Sequence, residues 1–378
     1  MMEIFYLLLF LSSLLFSFFI LSCYFSWIKV IEEPENPAPG EDPVSIVIAA
    51  RNEAEHIHNC LSALSKQDYK LSLLEIVVVD DNSEDETKLI VEEFRLRHPE
   101  MNIRLLEVGR DNGGSKKSAI NFAIKYASSD IILMTDADCI APVSWVSAMI
   151  NYFKFNACSF LAGPVSLSEA GGIFQKVQSL EFMGLVGIAA SGIYQKNPIM
   201  CNGANLMFSK KLFFEVKGFD SELKLASGDD TQLLLKASKK YPDNISFLKD
   251  RRAIVLTQSS SSLHEFVEQR KRWAGKIPFA LTAFTIFIAI ISWLTHALLI
   301  VGLADLISEG TINKLGVISF IMVCLSEFVL LNSLARFFRK RMLLWLFLPA
   351  QFFYWIYIVL IGVIAPLSTF SWKGRTTH

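Results

Sequence analysis

The sequence predicts an α/β domain with a doubly wound, mostly parallel sheet, carried between transmembrane helices at both ends of the chain. Between residues 44 and 135, apolar runs of strand length alternate with stretches of helical period, the pattern of a parallel sheet covered by helices on both faces. The apolar excess, 52% hydrophobic and 12% aromatic in 378 residues, is concentrated at the two ends. The polar residues of the middle gather where apolar strands stop, and open α/β sheets bind ligands outside those carboxyl ends.

Residues 4–28 hold only apolar and small polar side chains, and further apolar stretches lie at about 278–303, 315–335 and 342–367. Each is long enough to cross roughly 30 Å of hydrocarbon as a helix. The expected organisation is therefore a transmembrane helix at 1–30, a cytosolic domain with interfacial helices at 42–277, about three transmembrane segments at 278–370, and a basic tail at 371–378. Leu21-Ser22-Cys23 loosely resembles a lipoprotein cleavage site, but Met1-Met2-Glu3 supplies no positive n-region and the apolar run is too long for a signal peptide. Pro34, Pro37, Pro39, Gly40 and Pro43 make a short non-helical linker. Val44 to Ala50 then reads as a buried strand, 54–66 as a helix, Glu75 to Asp80 as a strand and 84–97 as a helix. Ile103 to Val108 is a third strand, Lys116 to Tyr126 a helix, and Asp130 to Thr135 a fourth strand. Ile173 to Tyr194 is helix-like, either lying against the membrane or part of the core.

A net charge of −1 gives no electrostatic case for nucleic acid as a partner. Local basic clusters say more. Arg270, Lys271, Arg272 and Lys276 precede the second apolar stretch, and Arg336, Arg339, Lys340 and Arg341 separate the third from the fourth. Cytoplasmic flanks carry the Lys and Arg excess, so both clusters are expected in the cytosol with a hairpin between them. This makes the chain a multi-pass integral protein of the cell (inner) membrane with its domain in the cytoplasm. The six cysteines form no C-x-x-C pair, and reduced thiols are the simple reading. The apolar stretches show no obvious charge cluster, which disfavours a transporter.

Arg51-Asn52-Glu53, Asp80-Asp81-Asn82-Ser83 and Asp136-Ala137-Asp138 follow the first, second and fourth strands. Side chains alternate along extended backbone, so Asp136 and Asp138 point the same way and can clamp a hard divalent cation with its phosphate oxygens. Beside a bilayer, that clamp suggests an enzyme moving a sugar from a soluble nucleotide donor to a membrane-associated acceptor. No G-x-G-x-x-G opens a helix here, so a dinucleotide oxidoreductase is a poor reading.

These motifs, with Lys116 to Asn121, Gly228-Asp229-Asp230 and Gln269-Arg270-Lys271-Arg272-Trp273, resemble those of the membrane-bound family 2 glycosyltransferases over about residues 44–275. The resemblance implies a GT-A fold, an inverting hexosyltransferase, Mg²⁺ or Mn²⁺, a nucleotide sugar donor (UDP-sugar favoured) and a lipid or glycan acceptor. It places Ala49, Arg51, Glu53, Asp81, Lys116 and Asp136 on the donor, and Asp136 and Asp138 on the metal. Asp230 becomes the general base, with Asp229 beside it where the family more often has glutamate. Gly203, in Cys201-Asn202-Gly203-Ala204-Asn205, and Gln269, Arg272 and Trp273 fall on the acceptor side. Blander roles stay open: helix caps for Asp81, for the 136/138 pair and for Asp229, a solvated helix start for Lys116, an ordinary turn at Gly203, and an interfacial amphipathic helix around Trp273. Trp372-Lys373-Gly374-Arg375 either anchors in the membrane or folds back toward the site.

Two acceptor types compete. Few spans favour a lipid or lipid-linked acceptor, whereas the Q-x-x-R-W pattern also occurs in processive polysaccharide synthases, whose channel a partner subunit can share. A nucleotide-binding scaffold without catalysis is disfavoured because Asp136, Asp138 and Asp230 are all present.

Overall fold

The computed structural model describes residues 2–30, 32, 41–108, 115–169, 171–219, 229–274 and 282–365, with backbone alone at 229, 370–372 and 375–377. After α1 (Met2–Lys29) come β1 (Val44–Ala50), α2 (Ile57–Leu64), β2 (Leu74–Asp80), α3 (Thr87–Arg97), β3 (Asn102–Glu107), α4 (Lys116–Tyr126) and β4 (Ile131–Asp136). The domain continues through α5 (Trp145–Phe155), β5 (Phe160–Ala162), β6 (Val165–Leu167), α6 (Ile173–Tyr194), β7 (Leu206–Ser209), α7 (Lys210–Glu215), α8 (Asp229–Lys240), β8 (Ile245–Phe247), β9 (Val255–Thr257) and α9 (Leu263–Ala274). The apolar helices α10 (Ala283–Glu309), α11 (Lys314–Phe337) and α12 (Phe347–Ile364) follow, then a hairpin of β10 (Phe370–Trp372) and β11 (Arg375–Thr377).

The seven-stranded sheet has the order β3-β2-β1-β4-β7-β5-β8, and β7 alone runs against its neighbours. Strands β1, β2 and β4 are buried on both faces, which is why they read as near-continuous apolar runs. Their register sets the site: Ala50 stands beside Asp80, and Ala49 beside Asp136. Because β7 is antiparallel, with Met134 opposite Leu206, the residues just before Leu206 arrive at that same edge.

Helices α2 and α3 begin later than the sequence pattern suggests. The residues after β1 and β2 bond to each other instead: Asn52 N–H to Ser83 Oγ, Glu53 N–H to Thr87 Oγ1, Ala54 N–H to Asp85 Oδ2 and Glu84 N–H to Asn52 Oδ1. Asn52 (φ 51°) and Asn82 (φ 57°) take the left-handed conformation that asparagine tolerates, turning the chain into this clasp.

Among the described residues, five helices are long and apolar enough to cross a membrane: Met2–Lys29, Ile173–Tyr194, Ala283–Glu309, Lys314–Phe337 and Arg341–Ile364. The fifth beyond the four expected, α6, is 72% buried inside the molecule. It packs on α1 and α11 on one side and on β6 and β8 on the other. The approach to α11 requires glycine, since a Cβ at Gly187 would sit 2.6 Å from Leu334 Cδ1.

Two cations fasten the domain to the helix ends. Lys249 Nζ donates to the Trp27 and Val30 carbonyls at 3.1 Å, and Arg251 Nε to the Phe337 carbonyl at 2.9 Å. They meet the unpaired C-terminal carbonyls of α1 and α11 with positive charge. Lys340, just past α11, donates to the Leu167 carbonyl at 2.6 Å and Ser179 Oγ at 2.9 Å. At the far ends, Tyr6 Oη donates to Asp305 Oδ2 at 2.6 Å. Thus α1 and α11 both end on the domain side.

One expectation is corrected. The apolar helices do hold a polar cluster: Glu327 accepts from Gln351 Nε2 at 2.8 Å, lies 3.8 Å from His296 Nε2, and Gln351 Oε1 accepts from Trp355 at 3.1 Å. The charges sit on separate helices, so no single stretch of sequence displays them.

Candidate active site

Asp81 follows β2 and is 2% exposed. Its N–H donates to the Ala50 carbonyl at 2.8 Å, and Arg51 Nη1 donates to its carbonyl at 2.9 Å, so Arg51 and Asp81 form one turn. The first turn of α3 is held instead by Asp85, whose Oδ1 accepts from the Thr87 N–H at 3.0 Å. Asp80 Oδ2 accepts from the Ser83 N–H at 3.1 Å.

The β4 end gathers charge. Lys116, in the first turn of α4, donates to Asp136 Oδ1 at 2.5 Å. Burial pulls its ammonium down most, but Asp136, then Asp230 and Asp138, outweigh this and hold it above the usual lysine range. Arg272 of α9 feels the same three carboxylates; there burial wins and lowers the guanidinium. Two cations from two helices thus converge on three carboxylates. Asp138 touches Thr257 Oγ1 and Cys139 Sγ at 3.4 Å each. Neither it nor Asp136 caps α5, whose N-cap residue is Ser144. Cys60 Sγ lies 3.7 Å from the Asp136 carbonyl. Burial, then the nearby carboxylates, push the Cys60 and Cys139 thiols well above the ordinary range, so both stay protonated near neutral pH.

Asp230, in the first turn of α8, is oriented by two backbone donors: Gly203 N–H at 3.0 Å to Oδ2 and Thr231 N–H at 2.8 Å to Oδ1. Gly203 belongs to the loop that the antiparallel β7 delivers to this edge. That loop is pinned by Asn205, which is fully buried. Its Oδ1 accepts from Trp145 Nε1 at 2.9 Å, and its Nδ2 donates to the Pro164 and Ala253 carbonyls at 2.9 and 2.8 Å. Gly228, the Asp229 side chain and Lys276 lie outside the described residues.

On α9, within the basic cluster of the sequence reading, Arg270 is 3% exposed and paired with Glu181 of α6, itself 7% exposed. Both charges stand on faces that are otherwise apolar, which is the one signal of a buried pair. Gln269 accepts from Arg270 Nη1 at 2.6 Å, and the Trp273 ring centroid lies 4.2 Å from Arg270 Cζ. So Arg272 lies within electrostatic range of the carboxylates, while Gln269 and Trp273 are held by the residue between them. The backbone of β10 lies beside α9.

A family model described as Glycosyl transferase family 2 matches residues 45–214, and one described as Glycosyl transferase family group 2 matches residues 131–367. The poly-β-1,6-N-acetyl-D-glucosamine synthase of Staphylococcus epidermidis is 24% identical over 262 residues, 69% of this chain and 60% of that protein. The β-monoglucosyldiacylglycerol synthase of Synechocystis sp. is 30% identical over 110 residues, 29% of this chain and 22% of that protein. The chain therefore spans well under two thirds of either relative's length. Among solved structures, the mannosyltransferase PcManGT from Pyrobaculum calidifontis, in complex with GDP-Man and Mn²⁺, superposes with a TM-score of 0.62 at 16% identity. It covers 96% of this chain and 99% of its own, a likeness of fold.

Proposed function

The chain belongs to glycosyltransferase family 2, and from that premise we propose that it moves a sugar, with inversion, from a nucleotide sugar to a membrane-associated lipid or lipid-linked acceptor. The observation that carries the reading is the gathering of Asp136, Asp138 and Asp230 at the carboxyl edge of the sheet, with Lys116 bonded to Asp136 and Arg272 within electrostatic range from α9, a helix packed against α12. Ala49, Arg51, Glu53 and Asp81 border the base and ribose end of the donor, and Lys116 and Arg272 stand by its diphosphate. The acceptor oxygen attacks the anomeric carbon while Asp230 takes the hydroxyl proton. The bond to the diphosphate breaks, and its electron pair leaves with the nucleoside diphosphate. One displacement turns an α-linked donor into a β-linked product.

Asp136 and Asp138 fit Mg²⁺ or Mn²⁺. They are two carboxylates on one turn, and among the described residues no group of three or more His, Cys, Asp or Glu side chains makes a protein-only cage. That is the donor set of an ion completed by phosphate oxygens and water. When bound, the ion offsets charge on the departing diphosphate. PcManGT, solved with GDP-Man and Mn²⁺, supports a metal and a nucleotide sugar here as well.

The domain-side ends of α1 and α11 carry Lys29, Arg336, Arg339 and Arg341, which supports a multi-pass protein with a cytosolic domain in the cell membrane. The Synechocystis relative supports a lipid acceptor. Similarity to a polymer synthase over 69% of the chain favours processive synthesis, with a partner subunit, as the second reading. The test is release of nucleoside diphosphate by the reconstituted protein with Mn²⁺ or Mg²⁺, across nucleotide sugars and lipid extracts, against Asp138→Ala. Metal-dependent release from one donor, lost in the control, is expected; release indifferent to metal and to Asp138 sinks the reading. A product ladder from a single donor favours the processive alternative.

A further inference from the structure

Arg270 of α9 meets Glu181 of α6 with a two-pronged fork, Nε to Oε1 at 3.0 Å and Nη2 to Oε2. Such planar pairing fixes direction as well as charge. Glu181 Oε1 accepts a second bond, from Tyr357 Oη of α12 at 2.6 Å. The third guanidinium nitrogen holds Gln269, and the Phe266 and Trp273 ring centroids lie 4.4 and 4.2 Å from Arg270 Cζ. Phe266 in turn packs edge-on against Tyr357 at 5.5 Å. Three elements distant in sequence therefore end on one guanidinium, and that guanidinium touches two of the three side chains assigned to the acceptor side.

We propose that Arg270, Glu181 and Tyr357 are a positioning set that sets Gln269 and Trp273 in the acceptor-side wall and ties that wall to the last apolar helix. The assignment of the wall rests on the function proposed above; the mechanical tie does not. Buried ion pairs add little net stability compared with apolar packing of the same volume, so orientation is the property this one supplies. The donor side is held mainly from other elements, through Lys116 and the bonded Arg51–Asp81 pair, with Arg272 contributing from α9. Loosening the set therefore weakens acceptor recognition more than donor recognition.

Tyr357→Phe removes one hydroxyl and keeps the ring, so it folds; Arg270→Lys keeps the charge and removes the fork. In the reconstituted enzyme we expect acceptor KM to rise about tenfold in Tyr357→Phe and further in Arg270→Lys, the scale of one charged hydrogen bond. Donor KM and acceptor-free donor hydrolysis change by a much smaller factor than acceptor KM, and the double variant falls short of the product of the singles. Independently of activity, hydrogen exchange of the 269–273 amides speeds up in Tyr357→Phe. Unchanged acceptor KM in both variants, or a parallel loss of donor hydrolysis, overturns the acceptor role. Unchanged exchange on α9 overturns the tie itself. Faster exchange in a protein that transfers no sugar would instead remove the proposed reaction and keep the tie.

Discussion

Asn205→Ala should cost more stability than its size suggests. The side chain is fully buried and makes three hydrogen bonds, from Trp145 Nε1 and to the Pro164 and Ala253 carbonyls. Alanine leaves the indole N–H and the Ala253 carbonyl unpaired where water does not reach, while the Pro164 carbonyl keeps the Val255 N–H at 3.1 Å. Each orphaned group costs about 1–3 kcal/mol, and carbonyls fall toward the low end, so the sum is roughly 2–5 kcal/mol. In a domain of this size that is a drop of about 4 to 20 °C in Tm. Gly163 cannot carry a side chain either, because a Cβ there would stand 2.3 Å from Asn205 Nδ2. Thermal unfolding followed by tryptophan fluorescence in lipid nanodiscs measures it, with Asn205→Asp as the comparison that retains the Trp145 acceptor. A fall of less than about 2 °C would show that the three bonds are not the anchor of this loop.

Other outcomes follow from the same geometry. Glu75 is held below the usual carboxylate range: burial pushes it up, but Ser45, the Ser128 N–H and Arg104 together outweigh that. A carboxylate lowered on folding contributes stability above its unfolded pKa and loses it as pH falls through the folded value. Acid unfolding of the wild type should therefore steepen below about pH 4, and Glu75→Gln should flatten that limb, as read by Tm against pH. Gly187→Leu forces atoms into Leu334, with even a Cβ 2.6 Å away, and should destabilise by about 1–3 kcal/mol in the same unfolding assay. Glu327→Leu leaves the Gln351 amide without its acceptor inside the apolar helices and should lower Tm, whereas Glu327→Gln should retain most of it.

The sequence revealed what local pattern controls. Strands β1, β2 and β4 were legible because both faces are buried, and the Ile173–Tyr194 helix was legible end to end. The starts of α2 and α3 were not, because the clasp between Asn52 and Ser83 belongs to two loops that meet only in space. Asp136 and Asp138 were visible as a strand-end pair, and Lys116 does reach Asp136. The partner of Arg270 was not legible because it is 89 residues away on another helix. Asn205 stood in a quoted loop, yet its three partners come from three other segments. Glu327 and His296 escaped notice for the same reason: pairing across helices leaves no mark on either helix alone.

The proposal that Asp230 is the base that drives transfer is tested most directly by Asp230→Asn, with donor binding by calorimetry and product formation measured on the same preparation. Asparagine keeps the shape and an acceptor for the Gly203 N–H but cannot take a proton. Donor affinity should stay near the wild-type value while turnover falls by about 10² to 10⁴. Turnover within a few-fold of wild type, with the donor bound as before, would contradict the account.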